Sequence, residues 1–159
     1  MRTLIVIPAR LGSWRFPDKP LTQILGMTMI EHVYHRAKMV ANVSQVVIAT
    51  CDEKVKNAAE NFGAKVVMTS ADCPTACERV AEAAELMGFT AHDDIVINVQ
   101  GDEPVVPPPV IELTRNKLLE SEHYELANLV EKAVSETEVN NLHRVKAALT
   151  VNRNIMFLS

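Results

Sequence analysis

The sequence predicts an α/β fold built on a mainly parallel sheet with helices on both faces. Three observations predict it. Short, almost wholly apolar runs recur at 4–7, 46–49, 65–68 and 95–99, and strands without polar alternation are those covered on both sides. Segments of helical spacing separate these runs. The connections are short, as expected where strand, crossover helix and parallel strand follow one another.

Each element follows from local chemistry. Leu4 to Ile7 is a continuous aliphatic run that Pro8 stops, which predicts a buried first strand. Residues 9–20 form a loop rich in Arg, Gly, Pro and Lys. Met29, Ile30, Val33, Tyr34 and Ala37 share one helical face and predict a helix over 28–41. Val46 to Ala49 is the second strand, 53–62 a helix closed by Gly63, and Lys65 to Met68 the third strand. Residues 76–87 form a helix that Gly88 ends, and Ile95 to Val99 is the fourth strand. Pro107-Pro108-Pro109 opens a helix over 109–120, since Pro suits a first turn. Weaker strands are expected at 124–130 and 145–151, with one more at 154–158. The last of these is cut off at Ser159, so residues 1–159 are expected to be part of a truncated domain.

The 159 residues fit one domain or an incomplete larger one, and 48% hydrophobic residues supply a core. A formal net charge of −4 argues against a nucleic-acid binder, which needs a basic stripe. It does not argue against small anions, because a few placed cations dominate one pocket. The three cysteines, Cys51, Cys73 and Cys77, are an odd number without a secretory signal. Together with a first apolar run too short to span a membrane, they predict a cytoplasmic protein with no membrane partner.

Ligands of such sheets bind outside the carboxyl ends of the strands. Two loops of unusual composition are expected there. The first, 9–20, carries Arg10, Arg15 and Lys19 within ten residues, with Gly12 and Ser13 to turn the backbone and expose N–H groups. Guanidinium forks, a lysine charge and backbone N–H groups are what a triphosphate requires. Neither the dinucleotide fingerprint Gly-x-Gly-x-x-Gly nor the Walker phosphate loop is present, so a nicotinamide dehydrogenase or a P-loop kinase is poorly supported. The second loop reads Asn98-Val99-Gln100-Gly101-Asp102-Glu103-Pro104. It delivers a carboxylate from a buried strand, with Gly101 permitting close backbone approach. Asp102, shorter than Glu103, is the favoured ligand for Mg2+, which takes carboxylate oxygens and keeps waters and phosphates as its other ligands. A cationic cradle and a metal carboxylate at one sheet edge point to nucleotidyl transfer, a reaction of positioning and charge neutralisation.

These loops resemble those of the 3-deoxy-manno-octulosonate (Kdo) cytidylyltransferases. The matching stretches are Ile7-Pro8-Ala9-Arg10, Gly12-Ser13, Arg15-Phe16-Pro17, Lys19-Pro20-Leu21, Val66-Val67-Met68-Thr69, Glu78-Arg79 and Asn98 to Pro104. The resemblance runs over nearly the whole chain. It implies a Rossmann-like three-layer nucleotidyltransferase fold of which this chain is the nucleotide-binding part. It also implies a CTP- and Mg2+-dependent enzyme that transfers CMP to an acidic sugar for lipopolysaccharide assembly, and a homodimer at full length. By the same resemblance Arg10, Lys19 and Asp102 are the catalytic set, with Asp102 on the metal. Ala9, Arg15, Thr75, Arg79 and Gln100 would contact the substrates, Arg15 at the triphosphate and Gln100 facing the sugar. Family members continue beyond Ser159 and carry a second metal carboxylate there.

The chain departs from the family at Asp18, where glycine is usual before the lysine, and at Trp14, where a small hydroxyl residue is usual. It departs again at Thr75-Ala76-Cys77, which replaces Ser-Gly-Thr. Other constellations are weaker. Cys73, Cys77 and His92 lack a second ligand pair for zinc, and Ser13 lacks the elbow of a hydrolase nucleophile. His32 and His35 read as helix surface or packing residues, Glu78 and Arg79 as an ion pair at a helix start, with the resemblance placing Arg79 near the ligand instead, and Glu131, Glu136 and Glu138 as solvated surface.

Overall fold

A computed structural model of the chain describes all residues except 13–15, 121, 122, 143, 153 and 159. Its described part divides into two compact units, Met1–Glu122 and His123–Ser159.

The first unit holds the sheet. Its elements are β1 (Thr3–Pro8), a 3-10 turn at Lys19–Leu21, β2 (Gln23–Ile24), β3 (Met27–Thr28), α1 (Met29–Lys38), β4 (Gln45–Thr50), α2 (Glu53–Asn61), β5 (Lys65–Met68), α3 (Ala76–Leu86), β6 (Ile95–Asn98) and α4 (Pro108–Leu119). The four long strands form one sheet in the order β5-β4-β1-β6, and every pairing in it is parallel. These are the four apolar runs of the sequence. The small antiparallel hairpin β2–β3 was not expected: at two residues per strand it carries no periodicity to read. His32 Nε2 lies 2.8 Å from the Ile24 carbonyl and ties α1 to that hairpin, which explains a helix histidine without a ligand.

Strand alternation sorts the core into two layers. Ile5, Ile7, Val46 and Ile48 pack with Ile30, Val33, Val55, Ala59 and Ile111 of α1, α2 and α4. Leu4, Val6, Val47 and Ala49 pack on the other face with Val80, Ala83 and Ala84 of α3. The fold is therefore a three-layer α/β/α sandwich. Leu4, Ile5, Val6 and Ile7 are all fully buried, and each contributes roughly 1.5–3 kcal/mol of apolar transfer. That burial suits a strand inside the sheet, between β4 and β6 and parallel to both.

Caps fix the helix starts. Thr28 with Glu31, and Thr75 with Glu78, each form a reciprocal capping box ahead of α1 and α3. Both are legible in the sequence as Thr followed three residues later by Glu. The amino end of β1 is pinned by Arg2, whose guanidinium donates to both Asp94 oxygens and to the Gly88 carbonyl and lies 4.4 Å from the centre of the Phe89 ring. The Asp94 carboxyl is held below the usual carboxylate range, chiefly by the hydrogen bond from Arg2.

The second unit contains α5 (Glu136–Val139), β7 (Ala147–Leu149) and β8 (Ile155–Leu158). β7 and β8 pair antiparallel, matching the expected strand at 154–158 and the centre of that at 145–151. The strand expected at 124–130 is absent: these residues belong to no ladder. A strand needs a neighbour for its N–H and C=O groups, and among the described residues the unit's one ladder is β7 with β8.

Candidate active site

At the carboxyl edge of the sheet lies an open cleft of about 230 Å3. Three loops build it, one each after β1, β5 and β6. The first supplies Ala9, Arg10, Lys19 and Pro20, the second Cys73 and Thr75 with Ala76 and Arg79 from the α3 it leads into, and the third Gln100, Gly101 and Asp102. Seven residues singled out from sequence, Ala9, Arg10, Lys19, Thr75, Arg79, Gln100 and Asp102, thus line one cavity. Arg15, with Ser13 and Trp14, lies outside the described residues.

The lining is strongly biased in charge. Among the described residues, three cations, Arg10, Lys19 and Arg79, face one carboxylate, Asp102. Lys19 Nζ and Asp102 Oδ2 are 2.5 Å apart and bridge the first and third loops. Arg79 is 3% exposed. Its guanidinium donates to the Thr69 hydroxyl, and no carboxylate is in salt-bridge contact with it among the described residues. A buried guanidinium with no carboxylate in direct contact is costly, and here it lines the cleft. Such a cation is suited to an anionic ligand. The reading of Glu78 and Arg79 as an ion pair is not met: Glu78 closes the Thr75 cap and Arg79 turns to Thr69.

Backbone geometry explains how Asp102 reaches this place. A Cβ on Gly101 would stand 2.7 Å from the Pro8 carbonyl oxygen and 3.3 Å from Ile30 Cδ1. Only glycine lets the third loop lie against the end of β1. The same loop is held on its far side by Arg36 Nε, which donates to the Pro104 carbonyl at 2.9 Å. The first loop is anchored in turn by Asp52, whose Oδ2 accepts the Leu11 N–H at 2.8 Å.

Asp18, where glycine is usual in the family, is explained. Its backbone is left-handed, with φ of 55°, a region that glycine enters freely and Asp tolerates. Its carboxylate pairs with Lys54 of α2 and is not part of the cleft lining. Thr75 is more constrained. Its hydroxyl donates to Glu78 Oε2 at 2.6 Å and accepts the Glu78 N–H at 3.2 Å, so it is already engaged as a donor at the cleft.

Cys73, Pro20 and Ala76 line the cleft without having been selected from sequence as site residues. The signal was present, because every loop that follows a parallel strand opens at this edge, and 69–75 is such a loop.

A mainly parallel three-layer sheet with a cation-rich cleft beyond its strand ends is the arrangement of a nucleotidyltransferase. The profile of the cytidylyltransferase family matches residues 4–158, and the chain belongs to that family. It is 41% identical over 161 aligned residues to the 8-amino-3,8-dideoxy-manno-octulosonate cytidylyltransferase of Shewanella sp. (strain W3-18-1), covering 100% of this chain and 65% of that protein. The protein of the same description from Shewanella pealeana is 40% identical, with the same coverage. Among solved structures, CMP:2-keto-3-deoxy-manno-octonic acid synthetase complexed with CTP superposes with a TM-score of 0.86 at 34% identity, over 100% of this chain and 64% of that one. A cytidylyltransferase from Leptospira borgpetersenii gives 0.65 at 25% identity, over 77% of this chain and 51% of that one. The chain therefore spans about 65% of the length of the curated relatives it matches.

Proposed function

We propose that the cleft binds CTP with Mg2+ and that the protein transfers CMP to the anomeric hydroxyl of an acidic sugar of the 3-deoxy-manno-octulosonate type. The observation that carries this reading is the convergence of Arg10, Lys19, buried Arg79 and Asp102 on one cleft. In the reaction the sugar hydroxyl oxygen forms a bond to the α-phosphorus and gives up its proton to water, the bond from that phosphorus to the bridging oxygen breaks, and pyrophosphate leaves with its negative charge. Arg10 and Lys19 would neutralise that charge, and Arg79 adds a buried cation from α3. Gln100, which also lines the cleft, would face the acceptor. The relatives named for the 8-amino sugar make that analogue, with Kdo itself, the first acceptors to test. Product of either kind would serve lipopolysaccharide assembly in the cytoplasm.

The donor set fits the metal in a specific sense. No cluster of three or more metal-binding side chains exists among the described residues. Mg2+ that arrives with a nucleotide takes its remaining ligands from phosphate and water and needs one or two carboxylates. Asp102 would supply one, and the bound ion would screen the phosphates. No helix among the described residues is long and apolar enough to cross a membrane.

The test is pyrophosphate release by this chain with each of the four common nucleoside triphosphates, Mg2+ and a panel of octulosonates. The reading expects release with CTP and an octulosonate together and none when either is left out. Release with another nucleotide would overturn the base assignment. CTP binding with no release on any acid would restrict the chain to a nucleotide-binding role.

A further inference from the structure

We propose that Glu82, on α3 outside the cleft, is a positioning residue that holds the 70–73 segment of the cleft wall and so sets nucleotide affinity. The proposal rests on the nucleotide-binding reading above. Between Ser70 and Pro74 the backbone belongs to no ladder or helix: Ala71 and Asp72 form a turn, and the Asp72 N–H goes to Ser70 Oγ at 3.0 Å. These contacts are local, so what ties this wall, which carries Cys73 into the cleft, to the rest of the fold is a side chain. Glu82 supplies that tie. Its two oxygens accept the Ser70 N–H at 2.9 and 3.0 Å, and Oε2 also accepts the Cys73 thiol at 2.9 Å.

The carboxylate stands on a rigid support. Val80, Ala83 and Ala84 on either side of it are buried against the sheet. Three α3 side chains reach back to the loop, but their tasks differ. Glu78 closes its own helix cap, and Arg79 lines the cleft itself. Glu82 does not line the cleft yet holds a residue that does. The charge balance agrees with this geometry. The Cys73 thiol is pushed up, first by its hydrogen bond to Glu82, with Glu78 adding to the rise and Arg79 opposing it. The Glu82 carboxyl is held down, first by the thiol and then by the Ser70 N–H.

Two measurements on the full chain test this for Glu82→Ala and Glu82→Gln. One is CTP affinity by calorimetry. The other is the pH profile of Cys73 alkylation by iodoacetamide, followed by mass spectrometry. Loss of charge-assisted hydrogen bonds predicts a rise in Kd of about tenfold for Glu82→Ala, with a smaller rise for Glu82→Gln. Cys73 alkylation should shift to lower pH in both, because the thiolate is the reactive form and its neighbouring carboxylate is gone. General loss of structure would also release the thiol, so the shift counts only where a thermal melt of the variant matches the wild type. An unchanged profile overturns the hold on Cys73, and a shifted profile with unchanged Kd overturns its influence on the nucleotide. Wild-type protein that binds no CTP overturns the parent reading instead, while the alkylation profile still decides whether Glu82 holds the wall.

Discussion

Asp102→Ala is expected to abolish the Mg2+-dependent part of CTP binding and to lower pyrophosphate release by on the order of a hundred- to a thousandfold. Asp102 is the one carboxylate among the described residues that line the cleft, so no neighbour there can take over a metal-binding role. Its partner Lys19 is left as an unpaired cation, which keeps the attraction for the triphosphate alone. The variant therefore separates two terms that act together in the wild type: metal-free nucleotide binding persists and the metal increment disappears. The fold should be unaffected. Asp102 and Lys19 are 48% and 36% exposed, and exposed pairs contribute little to stability. Calorimetry with and without Mg2+, beside a pyrophosphate assay and a thermal melt, reads all three quantities. Near-normal turnover in the variant removes Asp102 from the mechanism.

Gly101→Ala should be damaging for a different reason. The new Cβ would meet a backbone oxygen, that of Pro8, at 2.7 Å. Backbone at the end of β1 is held on both sides: the Ala9 N–H bonds to the Ala49 carbonyl, and the Val99 N–H bonds to the Val6 carbonyl. The second clash, with Ile30, is against a fully buried side chain. Neither neighbour can yield without disturbing the core, so the loop itself must move and carry Asp102 with it. Overpacking of this kind costs roughly 1–3 kcal/mol, and CTP affinity should fall with it. Denaturant unfolding and a CTP titration of the same variant measure the two effects. A variant with both stability and affinity unchanged would show that Asp102 does not depend on this contact.

The legible part of the fold follows from burial. The four apolar runs could be read as parallel strands because both faces of each are covered, and Leu4 to Ile7 leave no polar position to suggest otherwise. The hairpin β2–β3 escaped because two-residue strands have no period, and its pairing depends on neighbours such as His32. Residues 124–130 are apolar enough to suggest a strand, but pairing is a tertiary property and the sequence shows no partner. At the candidate site, Arg10, Lys19 and Asp102 stood out by residue type within two loops of odd composition. Cys73 and Glu82 did not, since a thiol and a helix glutamate are ordinary until the fold brings them together. The Asp18 carboxylate could not be oriented from sequence at all. Its direction is set by Lys54, 36 residues along the chain.

A crystal structure of this chain grown with CTP and Mg2+ tests the central claim most directly. The account predicts the triphosphate between Arg10, Lys19 and Arg79, with the Lys19–Asp102 bridge opened so that the lysine meets phosphate and the carboxylate meets the ion. Nucleotide bound elsewhere on the molecule, with that bridge intact, would contradict it.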